Sequence, residues 1–109
     1  MQVEWLTAAE DDLLEIARRV ALKFGYVTAE RTVACVTSET QRLAEFPWIG
    51  RRCEEYKNAR REYRSLSTRH DRIVYTVTDE CVLIVAVFDC RRDPADLAYM
   101  LEDRDSLTQ

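Results

Sequence analysis

The sequence predicts an α+β fold: an N-terminal strand, an antiparallel helix hairpin packed on an antiparallel sheet of about four strands, and a short C-terminal helix. Three observations predict it. Two amphipathic segments of helical spacing fill the first part of the 109 residues. Two apolar segments of strand character, residues 73–77 and 81–88, follow, parted by a tight Asp79-Glu80 reversal. The apolar pattern then stops at Asp89-Cys90-Arg91-Arg92-Asp93-Pro94.

Val3-Glu4-Trp5 opens the chain as a short strand with Val3 and Trp5 on the core side. Thr7, with Glu10 three residues on, reads as a capping box for the first helix, and Leu13, Ile16, Ala17, Val20, Ala21 and Phe24 form its apolar stripe before Gly25 closes it. Thr28 reads as the cap of the second helix, whose buried face is Val33, Val36, Thr37, Thr40, Leu43 and Ala44, and Phe46-Pro47 ends it. An arginine-studded second strand carries Arg60, Arg61 and Arg64. In the third, Ile73, Tyr75 and Val77 point one way and Arg72, Val74 and Thr76 the other. Strict alternation in the fourth puts Leu83, Val85 and Val87 on one face and Val82, Ile84, Ala86 and Phe88 on the other, so both faces need cover. The cover for the second face is the segment beyond Pro94, a second subunit or a partner peptide. Asp93-Pro94-Ala95-Asp96 has the signature of a helix start, with Leu97, Met100 and Leu101 along its covered side, and residues 102–109 are expected to fray.

Two Gly, two Pro and 47% hydrophobic residues describe one ordered domain over residues 1–109 without linkers. Charges interrupt every apolar stretch well short of the roughly 20 residues a spanning helix needs, and no signal peptide is visible, so the expectation is a cytoplasmic protein with no membrane partner. Cys35, Cys53, Cys81 and Cys90 form no C-x-x-C pair, and one His completes no zinc set, so neither a metal nor another cofactor is expected. The net charge of −4 is uneven: residues 51–72 are basic, with eight Arg or Lys against four Asp or Glu, while the flanking segments are acidic. A basic band can hold phosphate locally, but the surrounding negative field opposes avid nucleic-acid binding.

The candidate target-binding group is Arg60, Arg61, Arg64, Arg69, Arg72, Arg91 and Arg92, because guanidinium forks onto phosphate or carboxylate oxygens and neighbouring strand ends of an antiparallel sheet come together on one rim. The alternative is solvated strand charge paired with Glu54, Glu55, Glu62, Asp89 and Asp93. Trp48 is either an anchor for a protein partner or a plug in the open end of the helix hairpin. Tyr56 and Tyr63 read as packing residues before base-stacking ones. If the chain is an enzyme, Arg61, Arg64, His70 and Arg91 are its catalytic candidates, though His70 beside Asp71 reads first as a solvated turn residue.

The order of these features (opening strand, two helices, Phe46-Pro47-Trp48-Ile49-Gly50-Arg51-Arg52, arginine-rich strand, Arg72-Ile73-Val74-Tyr75-Thr76-Val77, apolar strand, Phe88-Asp89-Cys90-Arg91-Arg92-Asp93-Pro94) resembles the RelE/ParE superfamily of type II toxins over residues 3–101. The ending looks most like that of members from Bacteroidetes-type bacteria, closer to ParE than to RelE. The resemblance implies a growth-inhibiting toxin, a cognate antitoxin protein that silences it, and either DNA gyrase or the ribosome as target. A homodimer and a toxin–antitoxin hetero-oligomer are the assemblies it leaves open. RelE-like relatives cut mRNA on the ribosome using cations and, in several branches, a C-terminal His or Tyr that moves the proton. Here Asp89-Cys90 stands where many relatives have a histidine, which favours a ParE-like inhibitor over an endoribonuclease. A third reading is a retired toxin that only binds its antitoxin.

Overall fold

The computed structural model describes residues 1–108. Strand β1 (Gln2–Trp5) leads into helices α1 (Thr7–Phe24) and α2 (Tyr26–Glu45), followed by β2 (Arg51–Arg52), β3 (Tyr63–Ser67), β4 (Asp71–Val77), β5 (Cys81–Asp89), α3 (Pro94–Asp105) and a 3₁₀ turn (Ser106–Thr108). The sheet order is β1-β5-β4-β3-β2. It has five strands, because Arg51 and Arg52 pair with Ser65 and Arg64 as a short edge strand. It is mixed, because β1 runs parallel to β5. Of the three arginines expected on the second strand of the sequence pattern, Arg60 and Arg61 fall in the loop before β3 and only Arg64 lies on it.

Neither threonine caps its helix. Leu6 is the N-cap of α1, because its N–H donates to the Ile84 carbonyl and ties the chain to the sheet until the first helical residue. Gly25 both ends α1 and begins α2, at φ 91°, a conformation that leaves no intervening residue for Thr28 to follow as a cap. The helix start at Asp93 forms as the sequence indicates: its carboxylate accepts from the Ala95 N–H at 2.9 Å, and Pro94 takes the first helical position.

The helix hairpin covers one face of the sheet. Ala9, Ile16, Val36 and Leu43 pack there against Ile73, Tyr75, Val82, Ile84 and Val87. The opposite face is covered from within the chain: Leu97 and Leu101 of α3, with Cys53 and the partly buried Tyr56 and Ala59, lie over Tyr63, Val74, Val85, Ala86 and Phe88. A second subunit or partner peptide is therefore not needed to close the sheet.

Alternation along β5 breaks once. Val74 pairs with Ala86 but the next residue, Tyr75, pairs with Ile84, leaving Val85 as a bulge. Beyond it the faces exchange, so Val87 joins Val82 and Ile84 while Ala86 and Phe88 join Val85. The bulge sits where β1 has ended, and two side chains take the backbone groups that a longer β1 would have used. The Val87 N–H donates to Asp12 at 3.0 Å and Arg104 donates to the Val85 carbonyl at 3.0 Å, while Arg104 forks onto Asp12 at 2.6 and 2.9 Å. This ion pair clamps α1 and α3 across the sheet edge.

Among the described residues, α3 continues past Leu101 to Asp105. Asp105 is buried, accepting from the Tyr63 hydroxyl at 2.5 Å and from the Arg60 N–H at 2.9 Å, and this holds α3 helical through Asp105. Gln109 lies outside the described residues. No helix among them is long and apolar enough to cross a membrane.

Candidate functional site

The arginines do not gather on one rim; the sheet sends them to its two ends and both faces. Asp71 opposes Asp89 at one end, where Arg69, His70, Arg91 and Arg92 emerge, whereas Arg60 and Arg61 precede Tyr63 at the other. The seven residues of β4 separate these ends by about 20 Å. Antiparallel pairing does bring neighbouring strand ends together, but the loop into β3 joins it at the far end from the loop out of it.

Most of these guanidiniums are held by groups of the chain itself. Arg64 pairs with Glu62 at 2.7 Å, donates to the Gly50 carbonyl at 2.8 Å and lies 5.3 Å from the Trp48 ring centroid. Arg72, on the α3 side, donates to Glu55 at 2.8 Å and to Ser65 at 3.2 Å, and this bond holds the Glu55 carboxyl below its usual range. Arg92 lies over Phe88 at 5.1 Å and reaches Asp96 at 3.5 Å. Arg60, Arg61 and Arg69 have no ion pair among the described residues.

The end of β5 carries the most developed electrostatics. Arg91 forks onto Asp89 through Nε at 3.0 Å and Nη2 at 2.8 Å, and its backbone N–H donates to the same carboxylate at 2.9 Å. The Arg91 hydrogen bonds hold Asp89 down at about 2. Directly opposite, Asp71 is buried, and desolvation followed by the Asp89 charge raises its carboxyl above the usual range. Burial, then the Asp71 charge, raises the Cys90 thiol. The Cys90 N–H donates to the His70 carbonyl at 2.9 Å, which ties the exposed His70 to the end of β5 through the backbone. At this end Asp89 is committed to a cation and Cys90 is kept as the thiol. Asp71 is the residue missed here; in the sequence it is only the neighbour of His70, and its burial follows from opposing Asp89.

Trp48 is not a plug. It is 61% exposed, on the loop between α2 and β2. Tyr63 and Tyr56 are structural, Tyr63 buried and hydrogen-bonded to Asp105 and Tyr56 packed under α3's face of the sheet.

The outer side of the helix hairpin carries a shallow apolar groove. Ala17, Val33 and Thr37 join two hollows of about 480 and 390 Å³, the first extending to Tyr26 and Ala34, the second to Trp5 and Leu14, with Glu30 and Glu10 at their margins. At the hairpin turn Leu22, Phe24, Tyr26 and Val27 are exposed.

Comparison with known proteins gives a consistent answer. Residues 3–94 match the family described as the ParE toxin of type II toxin–antitoxin systems, parDE. A solved structure, the chromosomal ParDE toxin–antitoxin system from P. aeruginosa, superposes with a TM-score of 0.70 at 18% identity, over 82% of this chain and 95% of that one. At that identity the likeness is one of fold. No curated protein matches.

Proposed function

The chain belongs to the ParE toxin family of type II toxin–antitoxin systems, and from that footing we propose that it arrests growth by binding a protein target, DNA gyrase, inside the cell and is silenced by a co-encoded antitoxin. The observation that carries the choice of binding over cleavage is the Arg91–Asp89 fork at the end of β5. Ribonucleolytic transesterification needs a group that takes the 2′-hydroxyl proton as well as cations for the developing charge. A carboxylate held at about 2 is a weak base, and the thiol beside it is raised, so this end of the sheet offers charge without proton transfer at those two positions.

One observation favours the nuclease as the second reading: the Cys90–His70 backbone bond ties the loop that carries the single histidine to the end of β5. The two readings separate cleanly in vitro. We expect the purified chain to inhibit gyrase supercoiling and to leave ribosome-bound mRNA intact. Codon-positioned mRNA cleavage that disappears in His70→Ala or Arg64→Ala would install the nuclease instead. A chain inert in both assays that still binds its antitoxin would be a retired toxin.

For the antitoxin, the hairpin groove is the matching surface. Its floor of Ala17, Val33 and Thr37 suits the apolar stripe of an amphipathic helix, and Glu10 and Glu30 suit basic flanks on that helix. The second face of the sheet is not available to it, because α3 is already there.

A further inference from the structure

The loop between α2 and β2 projects three apolar side chains into solvent, with Phe46 53%, Trp48 61% and Ile49 40% exposed. An exposed indole on a loose loop loses its freedom on binding, which weakens association. This loop is held from below. The Gly50 N–H donates to the hydroxyl of Tyr75 at 2.9 Å, and Tyr75 is a fully buried core residue. Gly50 sits so close that a Cβ there would lie 2.5 Å from the Tyr75 hydroxyl and 2.9 Å from the Ser65 carbonyl. Arg64 spans the Gly50 carbonyl at 2.8 Å and the Trp48 carbonyl at 3.4 Å, with its guanidinium against the indole. The Ile49 N–H returns to the Phe46 carbonyl at 3.3 Å. Next to it, Arg51 and Arg52 stand exposed on the short edge strand β2.

We infer that the Trp48 loop, and not an arginine rim at the strand ends, is the anchor by which this chain seizes its protein target. An apolar centre of three residues with a cationic margin has the composition of a protein-binding hot spot. The matching occupant is an acidic protein surface with an apolar pocket that accepts an indole. Nucleic acid fits less well, because a net charge of −4 repels it at long range and the loop itself carries more apolar groups than cations. The antitoxin groove, lined by residues 5–38, does not include this loop.

This inference rests on the toxin reading and deepens it, so the test has a readout that does not presuppose gyrase. The full chain carrying Trp48→Ala, Trp48→Phe or the pair Arg51→Glu and Arg52→Glu is expressed from an inducible promoter, scored for growth arrest, and assayed for binding to purified gyrase and to its antitoxin. Trp48→Ala is expected to weaken gyrase binding about 10-fold or more and to relieve arrest, with antitoxin affinity and thermal melting unchanged. Trp48→Phe is expected to restore part of the binding, and the double charge reversal to weaken it with a lost salt dependence. Arrest by Trp48→Ala equal to that of the unaltered chain overturns the inference. If the unaltered chain arrests growth without binding gyrase, the gyrase reading falls while the loop still stands or falls on Trp48→Ala. If the unaltered chain arrests nothing, both fall.

Discussion

At the scale of single residues, Asp71 and Asp89 face each other across β4 and β5, and they titrate in opposite directions. Arg91 holds Asp89 to about 2 from an ordinary 3.8. That contribution to stability is present above the ordinary value and is lost as pH falls from about 4 towards 2. Asp71 is raised by burial and by Asp89, with His70, Arg91 and the Arg19 guanidinium of α1 opposing. A carboxyl raised in the fold stabilises it while protonated, at low pH, and becomes a cost as pH climbs through its folded value. Asp71→Asn is therefore expected to raise the urea midpoint at pH 7 and to lose that advantage near pH 3. Asp89→Asn is expected to lower the midpoint at pH 7 and to flatten the acid limb of the stability curve. Equal midpoints at pH 7 for Asp71→Asn and the unaltered chain would show that Asp71 carries no such cost. The sequence names Asp89 as a partner for the arginines; the cost at Asp71 is illegible there, because it arises only from the register that sets the two carboxyls side by side.

At the scale of elements, β5 shows where a local pattern stops being informative. Its apolar run is legible from composition, as are the hairpin, the Gly25 turn and the Asp93-Pro94 helix start. The bulge at Val85 is not, since it is stabilised by Asp12 and Arg104, far away in sequence on either side. The same holds for the end of α3, fixed by Tyr63 of β3 and by the backbone N–H of Arg60 in the loop before it. Removing one member of the largely buried Asp12–Arg104 pair strands the other and one backbone group of β5, the Val87 N–H in Asp12→Ala or the Val85 carbonyl in Arg104→Ala. Arg104→Ala or Asp12→Ala is expected to cost about 2–4 kcal/mol by denaturant unfolding. Hydrogen exchange should identify the mechanism, with the Val87 amide losing protection in Asp12→Ala before the rest of β5 does. Leu101→Ala, which empties the centre of the α3 layer, is expected to cost about 2–4 kcal/mol without selective loss at Val87. Uniform loss of protection in Asp12→Ala would mean the carboxylate acts on global stability alone.

At the scale of the whole molecule, the two faces of the sheet are closed by the chain's own helices, so partners must use what lies outside the core. Two such surfaces stand out among the described residues, and they are built differently. The hairpin groove is a broad, acidic-margined trough of mostly apolar side chains suited to a helix, and the Trp48 loop is a narrow, braced projection with a cationic margin. A toxin held silent needs a contact that its inhibitor can occupy, and a separate one for its target permits the inhibitor to act by coverage or by distortion. Separate surfaces should give separable defects. Ala34 is exposed on α2 and lines the groove one turn beyond Glu30, so Ala34→Arg fills the trough while its guanidinium can pair with Glu30 along the helix. The folded state is thereby expected to be kept, with thermal melting within a degree or two of the unaltered chain. Cells making Ala34→Arg should stop growing as before, and co-expression of the antitoxin should no longer rescue them. Trp48→Ala should show the reverse, with antitoxin binding intact and arrest lost. If Ala34→Arg is rescued as efficiently as the unaltered chain, the antitoxin does not lie in the groove. If it fails to arrest growth, the groove also serves the target, and the two surfaces are one functional unit despite their different chemistry.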